Sequence, residues 1–139
     1  MPLVSFWVVL LMMIISVVLG FLWYGPLFGK TWMRLSGIVM PDAKPSMKVM
    51  IKPIVLSLIG AIFMTYALSF VIAFHNTYFH TTGLVTSLSM TFLVWLGFFV
   101  PPYLNLSGWE AKPWKLFAIN TGYWFVFLMI AGTLVTLFS

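Results

Sequence analysis

The sequence predicts an all-α, polytopic membrane protein: a four-transmembrane-helix bundle with a short amphipathic interfacial helix after the first span. Three observations carry that reading. Apolar residues make up 63% of the 139 positions, enough for about four spans of roughly 22 residues each. Formal charge is limited to seven Lys or Arg and two Asp or Glu, far below the roughly one quarter of positions that are charged in soluble domains. The basic residues all fall in two connections between apolar stretches, Lys30, Arg34, Lys44, Lys48 and Lys52 in one, Lys112 and Lys115 in the other. High hydropathy excludes a disordered chain, and the absence of cysteine excludes a disulfide scaffold or a cysteine-ligated zinc module. A net charge of +5 would suggest nucleic acid in a soluble protein; here it reads as membrane sidedness, and no nucleic-acid partner is expected.

The elements follow in order. Residues 3–24 form an apolar run interrupted only by Ser5, Ser16 and Gly20, long enough at about 1.5 Å per residue to cross a hydrocarbon core of about 30 Å. No Lys or Arg precedes Lys30 and the run ends in Trp23-Tyr24-Gly25-Pro26, so it reads as a retained span and not as a cleaved signal. The connection 25–50 opens with a short amphipathic helix over 27–37, where Phe28, Trp32 and Leu35 recur on one face and Lys30 and Arg34 on another. Met40 to Ser46 reads as a turn ending in a helix cap at Ser46. The second span covers 51–74, with Pro53 in its first turn if it starts there and kinking it if the helix starts at Ser46. A polar connection, 75–83, holds His75 and His80. The third span, 84–106, meets Pro101-Pro102, which deprive the carbonyls of Gly97 and Phe98 of helical donors; a stop at Val100 would be too short, so a kinked continuation is expected. After the loop 107–115 the last span covers 116–138. The whole of 1–139 is one membrane domain.

Positively charged flanks are retained on the cytoplasmic side. Both basic connections are therefore expected on the cytoplasmic side, with the two termini and the histidine loop outside. An even number of spans satisfies this without conflict.

Helices in lipid associate through close backbone approach and side-chain hydrogen bonds, so small residues mark contact faces. Ser57, Ala61, Thr65, Ser69 and Ala73 recur at every fourth position, with Gly60 beside them. Gly83, Ser87 and Thr91 repeat the device on the third span; Ser16 and Gly20 mark the first, Ala118 and Gly122 the fourth. These faces pack within one bundle or between subunits. Aromatics make up 19% of the chain, and most stand near span ends as interfacial belts: Trp7 on the outer side, Trp23, Tyr24, Trp32, Tyr103, Trp109 and Trp114 on the inner. Trp95 lies mid-span, where its indole N–H needs an acceptor, expected to be a neighbouring Ser or Thr hydroxyl.

The stretch Gly20-Phe21-Leu22-Trp23-Tyr24-Gly25-Pro26-Leu27-Phe28-Gly29-Lys30-Thr31-Trp32-Met33 resembles the opening motif of a bacterial membrane family known as domain of unknown function 1761. Leu116-Phe117-Ala118-Ile119-Asn120-Thr121-Gly122-Tyr123, followed by Gly132, is similar to that family's closing motif. The two cover both ends of the chain; the middle matches in hydropathy and around Glu110, and Pro101-Pro102 departs from the pattern. The resemblance implies a small four-span inner-membrane protein and implies no activity.

Catalysis needs an activated nucleophile, an acid–base pair or a metal. Asp42 and Glu110 fall in the loops assigned to one side and His75 and His80 in the loop on the other, so no carboxylate-oriented base is expected within one subunit. We therefore expect no enzyme, no cofactor and no metal site. One polar cluster stands out for the inner leaflet, Tyr24, Lys30, Asn105, Glu110, Lys112, Lys115, Asn120 and Tyr123. Asn120 and Tyr123, three apart, share a helix face. The cluster reads either as interhelical hydrogen bonding or as a pocket for a lipid headgroup or small amphiphile, with the basic residues serving phosphate. The functional expectation is a protein acting through helix packing, binding of membrane lipids, including anionic headgroups, self-association, or membership of a larger membrane complex. The alternative is an oligomeric channel or carrier for a small neutral or amphiphilic solute. Sidedness is checked with single cysteines and an impermeant thiol reagent on intact cells: a cysteine at His80 is labelled and one at Lys44 is protected, and the reverse pattern overturns the orientation.

Overall fold

The computed structural model describes residues 4–37 and 47–138. The expected Met40–Ser46 turn, its Ser46 cap, Lys44 and Asp42 lie outside the described residues. Among the described residues, four helical stretches are long and apolar enough to cross a membrane: Phe6–Leu27, Met47–Phe79, Leu84–Trp109 and Trp114–Phe138. The helices are α1 (Phe6–Leu22), α2 (Gly29–Ser36), α3 (Met47–Phe79), α4 (Leu84–Val94), α5 (Val100–Trp109) and α6 (Trp114–Phe138), of which α2 lies between the first two spans. Two π-helical turns, Trp23–Leu27 and Trp95–Phe99, extend the first and third spans.

Both π turns have a proline at hand. Pro26 lies inside the first turn, and the Phe28 N–H reaches back five residues to the Trp23 carbonyl at 2.9 Å. The second ends where the Val100 N–H bonds the Trp95 carbonyl, just before Pro101-Pro102 withdraw two donors. A wider turn lets the helix run on past missing N–H groups. The third span thus continues beyond the prolines to Trp109, slightly farther than the expected 106. Each π turn begins with Trp-x-Gly.

After the first turn the chain folds back into α2, the short helix expected there. Gly29 permits this: a Cβ at Gly29 would stand 2.5 Å from the Tyr24 carbonyl oxygen. Lys30 and Arg34 are exposed, and Gly37 closes the helix with φ 74°.

The second span is longer than the expected 51–74. It begins at Met47, which puts Pro53 inside the helix, and it runs on through His75 and Asn76 to Phe79. No Gly or Pro interrupts 75–79, so polarity alone does not stop a helix whose backbone is already paired. The connection is therefore only residues 80–83. His80 takes the left-handed conformation at φ 55°, and the Thr81 N–H bonds the Asn76 carbonyl at 3.1 Å.

Around the bundle α1 packs on α3, α3 on α4, α4 on α6 and α6 on α1, with α6 also touching α2, α3 and α5. The core collects Met12, Leu68, Ile72, Phe127, Leu128 and Ala131. On the small-residue stripe Ala61, Thr65 and Ser69 are buried, Ala73 is half-buried and Ser57 is exposed. The Thr65 hydroxyl donates to the Ala61 carbonyl at 2.7 Å and Ser69 to the Tyr66 carbonyl at 2.7 Å, so neither leaves a polar group open in the apolar interior. Ser87 and Thr91 are also buried. Thr91 meets Gly132, where an added Cβ would stand 2.5 Å from its hydroxyl oxygen. Phe63, Phe70, Phe74, Val85 and Phe98 are exposed, forming the apolar outside that lipid covers.

Two glycines give opposite stability predictions, checked by thermal unfolding in one detergent. Gly132→Ile overpacks the α4–α6 contact and destabilises by about 1–3 kcal/mol. Gly60→Ala, where a Cβ meets nothing within 4 Å, leaves stability unchanged or raises it by about 0.5–1 kcal/mol through helix propensity.

Candidate functional site

Three of the expected cluster residues come together. The first π turn carries Trp23 and Tyr24 against the first half of α6. Trp23 Nε1 donates to the Ile119 carbonyl at 2.8 Å, and the Tyr24 hydroxyl donates to Asn120 Oδ1 at 2.8 Å. Gly122 makes room for the indole, since a Cβ there would stand 3.2 Å from Trp23 Cζ2. One turn on, the Tyr123 hydroxyl donates to the Ser16 carbonyl at 3.2 Å, and its ring lies 5.4 Å from that of Tyr24. Trp32 of α2 covers Tyr24 from the other side at 5.0 Å. The segments around residues 23–32 and 119–123 thus face one another across the fold.

The second π turn meets the same stretch of α6. Trp95 Nε1 donates to the Thr121 carbonyl at 2.8 Å. The acceptor is a backbone oxygen and not the hydroxyl expected from the sequence; the Thr121 hydroxyl itself donates to the Phe117 carbonyl. A carbonyl has two lone pairs and can serve its own helix and an indole together. Trp124 Nε1 in turn donates to the Tyr103 hydroxyl oxygen at 2.8 Å.

The other five cluster residues do not join. Lys30, Asn105, Glu110 and Lys115 are exposed and Lys112 is half-buried. Asn105 lies two residues beyond Tyr103, about 200° around the helix, so it points away when Tyr103 points inward. The lysines and Glu110 sit on loop or helix-end positions where water can solvate them. Among the belt residues expected at the inner interface, Trp109 and Trp114 are exposed, whereas Trp23, Tyr24, Trp32 and Tyr103 are half-buried and make the inward contacts just described.

Next to the three tyrosines lies a cavity of about 420 Å³. Val17, Gly20, Met50, Pro53 and Ile54 form apolar walls, and Ser16, Ser57, Tyr24, Tyr103 and Tyr123 bring hydroxyls. A recess of about 250 Å³ adjoins it, sharing Ser16, Ser57, Tyr123 and Trp124 and reaching Gly60, Ala61 and Phe127. Among the described residues α5 packs chiefly on α6, and the space lies beside the first half of α3. Sequence reading missed Ser16, Ser57, Tyr103 and Trp124 as site residues. Ser16 and Ser57 carried only a small-residue signal, and Tyr103 and Trp124 become polar partners only once the π turn sets the register of α5. Among the described residues no charged side chain lines the cavity. Among the described residues no group of three or more His, Cys, Asp or Glu converges. The arrangement is suited to holding an amphiphile: apolar walls of the size common for small-molecule pockets, about 300–1,000 Å³, with a few polar groups to orient it.

No curated protein and no solved structure matches the chain. A family model described as "Protein of unknown function (DUF1761)" matches residues 7–136, a stretch that holds both π turns, the residues lining the cavity and all but the outermost residues of the four apolar helices. The chain belongs to that bacterial family of multi-pass membrane proteins.

Proposed function

We propose that this is a non-catalytic protein of the bacterial cytoplasmic membrane that binds an amphiphile from the inner leaflet in the cavity between α1, α3 and α6. In this reading the lysine-bearing end faces the cytoplasm and both termini lie outside. The observation that carries it is the cavity: about 420 Å³ beside the lysine-bearing end of the bundle, mostly apolar, with tyrosine and serine hydroxyls on its walls and no charged side chain among the described residues that line it. A lipid-sized molecule entering from the side keeps its apolar part out of water throughout. The basic residues at the same end, among them Lys48 and Lys52 at the start of α3, attract anionic headgroups to the surrounding surface without lining the cavity. Self-association or docking to a larger membrane complex is compatible with this activity and is driven by separate faces.

The test is lipid retention after purification in mild detergent. Ser57→Phe places a ring in the cavity from a position exposed to it. The expected result is loss of most co-purifying lipid per mole of protein by mass spectrometry, with an unfolding temperature close to wild type. Unchanged lipid content overturns the proposal. The alternative of an oligomeric channel or carrier calls for saturable solute uptake in proteoliposomes, and the binding reading predicts none.

A further inference from the structure

We infer that the ligand is held by a carbonyl oxygen: Tyr103 donates a hydrogen bond to it, while a single hydrocarbon chain fills the recess between Gly60 and Phe127. This rests on the cavity being the binding site and adds the chemical class of what enters. The argument is an inventory of protons. Around the cavity the Tyr24 proton goes to Asn120 and the Tyr123 proton to the Ser16 carbonyl. The Ser16 hydroxyl goes to the Met13 carbonyl at 2.7 Å, and the Trp124 indole proton to Tyr103. Tyr103 therefore spends its oxygen on Trp124 and, among the described residues, finds no acceptor for its own proton. The Ser57 hydroxyl on the α3 wall is likewise without a partner among the described residues. Two donors remain, so the complementary ligand group is an acceptor.

Among the described residues no charged side chain lines either space, so against these walls a carboxylate or phosphate would enter without a counter-ion, at high cost. A neutral carbonyl has no such penalty. Trp124 lines both spaces and holds Tyr103, which places the donor where they join. From there the recess of about 250 Å³ reaches Gly60, Ala61 and Phe127, mostly apolar and of a size for one chain. The rest of the molecule is left the wider cavity toward Gly25 and Met50. Two kinds of membrane molecule offer this chemistry, an acyl ester and an isoprenoid quinone.

Binding to the lipid-depleted full chain in detergent separates them, with monooleoylglycerol, its ether-linked analogue, monodecanoylglycerol and decylubiquinone as probes. Tyr103→Phe is expected to weaken the ester about fivefold, the worth of one hydrogen bond of about 1 kcal/mol, and to leave the ether unchanged. Because Tyr103→Phe also strips Trp124 of its acceptor, a second variant avoids that contact. Gly60→Phe, built into open space, is expected to abolish the preference for oleoyl over decanoyl chains. A Tyr103 effect on the quinone alone assigns the carbonyl to a quinone. An ester-to-ether ratio and quinone affinity that ignore Tyr103→Phe, or a chain-length preference that survives Gly60→Phe, overturn the inference. If Ser57→Phe still empties the protein of lipid in that case, the cavity stands as the site and only the ligand class falls.

Discussion

An indole N–H inside a bilayer has no water to bond, so it must find a protein acceptor. Here two such groups, on different spans, settle on carbonyls two residues apart in one helix: Trp23 on Ile119 and Trp95 on Thr121. Much of the lysine-bearing half of the bundle depends on that pairing. Both tryptophans open π turns next to prolines, so the irregular backbone that would otherwise be weak points of the first and third spans is tied to the regular last span. The α6 segment from Ile119 to Trp124 consequently acts as the common seat for the other elements around it.

The cavity is a by-product of the same arrangement. Fastening the first and third spans to α6 leaves the first half of α3 with α1 as its main neighbour, and the small-residue contact that joins them is buried at Ala61, Thr65 and Ser69 but open at Ser57. Beyond Ser57 the stripe is buried; at Ser57 the cavity opens, and tyrosine hydroxyls line it. The tyrosine hydroxyls are thereby held by fixed partners, Asn120, the Ser16 carbonyl and Trp124. A pre-ordered polar rim lowers the entropy lost when a ligand is bound. The two motifs that carry the family resemblance make direct contact at this seat: Gly29 and Gly122 permit the close approaches, and Trp23, Tyr24 and Asn120 make the bonds across them.

Hydropathy and charge position made the four spans, the short helix and its exposed lysine face legible before any coordinates, because those depend on composition summed over twenty or so residues. The stripe on α3 was legible for the same reason, as a periodicity. What depends on one hydrogen bond was not. The N–H of Trp95 clearly needed a partner, yet a carbonyl 26 residues away leaves no mark in local sequence. Pro101-Pro102 announced trouble for the helix, but a π turn and a kink make the same demand on the sequence and differ in side-chain register. That register decides that Tyr103 faces the cavity and Asn105 does not. The polar run from His75 has the composition of a loop, yet the chain stays helical to Phe79, since no residue before His80 is poorly suited to a helix backbone. Of the expected cluster, Tyr24, Asn120 and Tyr123 are neighbours, whereas Asn105, Glu110 and the lysines share with them only an end of the molecule.

The most direct test of this account is a solid-state NMR distance in lipid bilayers, between the indole nitrogen of Trp23 and the carbonyl carbon of Ile119, using ¹⁵N-indole tryptophan and ¹³C-carbonyl isoleucine. An N–H···O=C bond of normal length places these nuclei about 4 Å apart, giving strong dephasing that disappears in Trp23→Phe. No dephasing in the wild-type protein, or dephasing that persists in the variant, would contradict the claim that the last span is the seat on which the bundle is assembled.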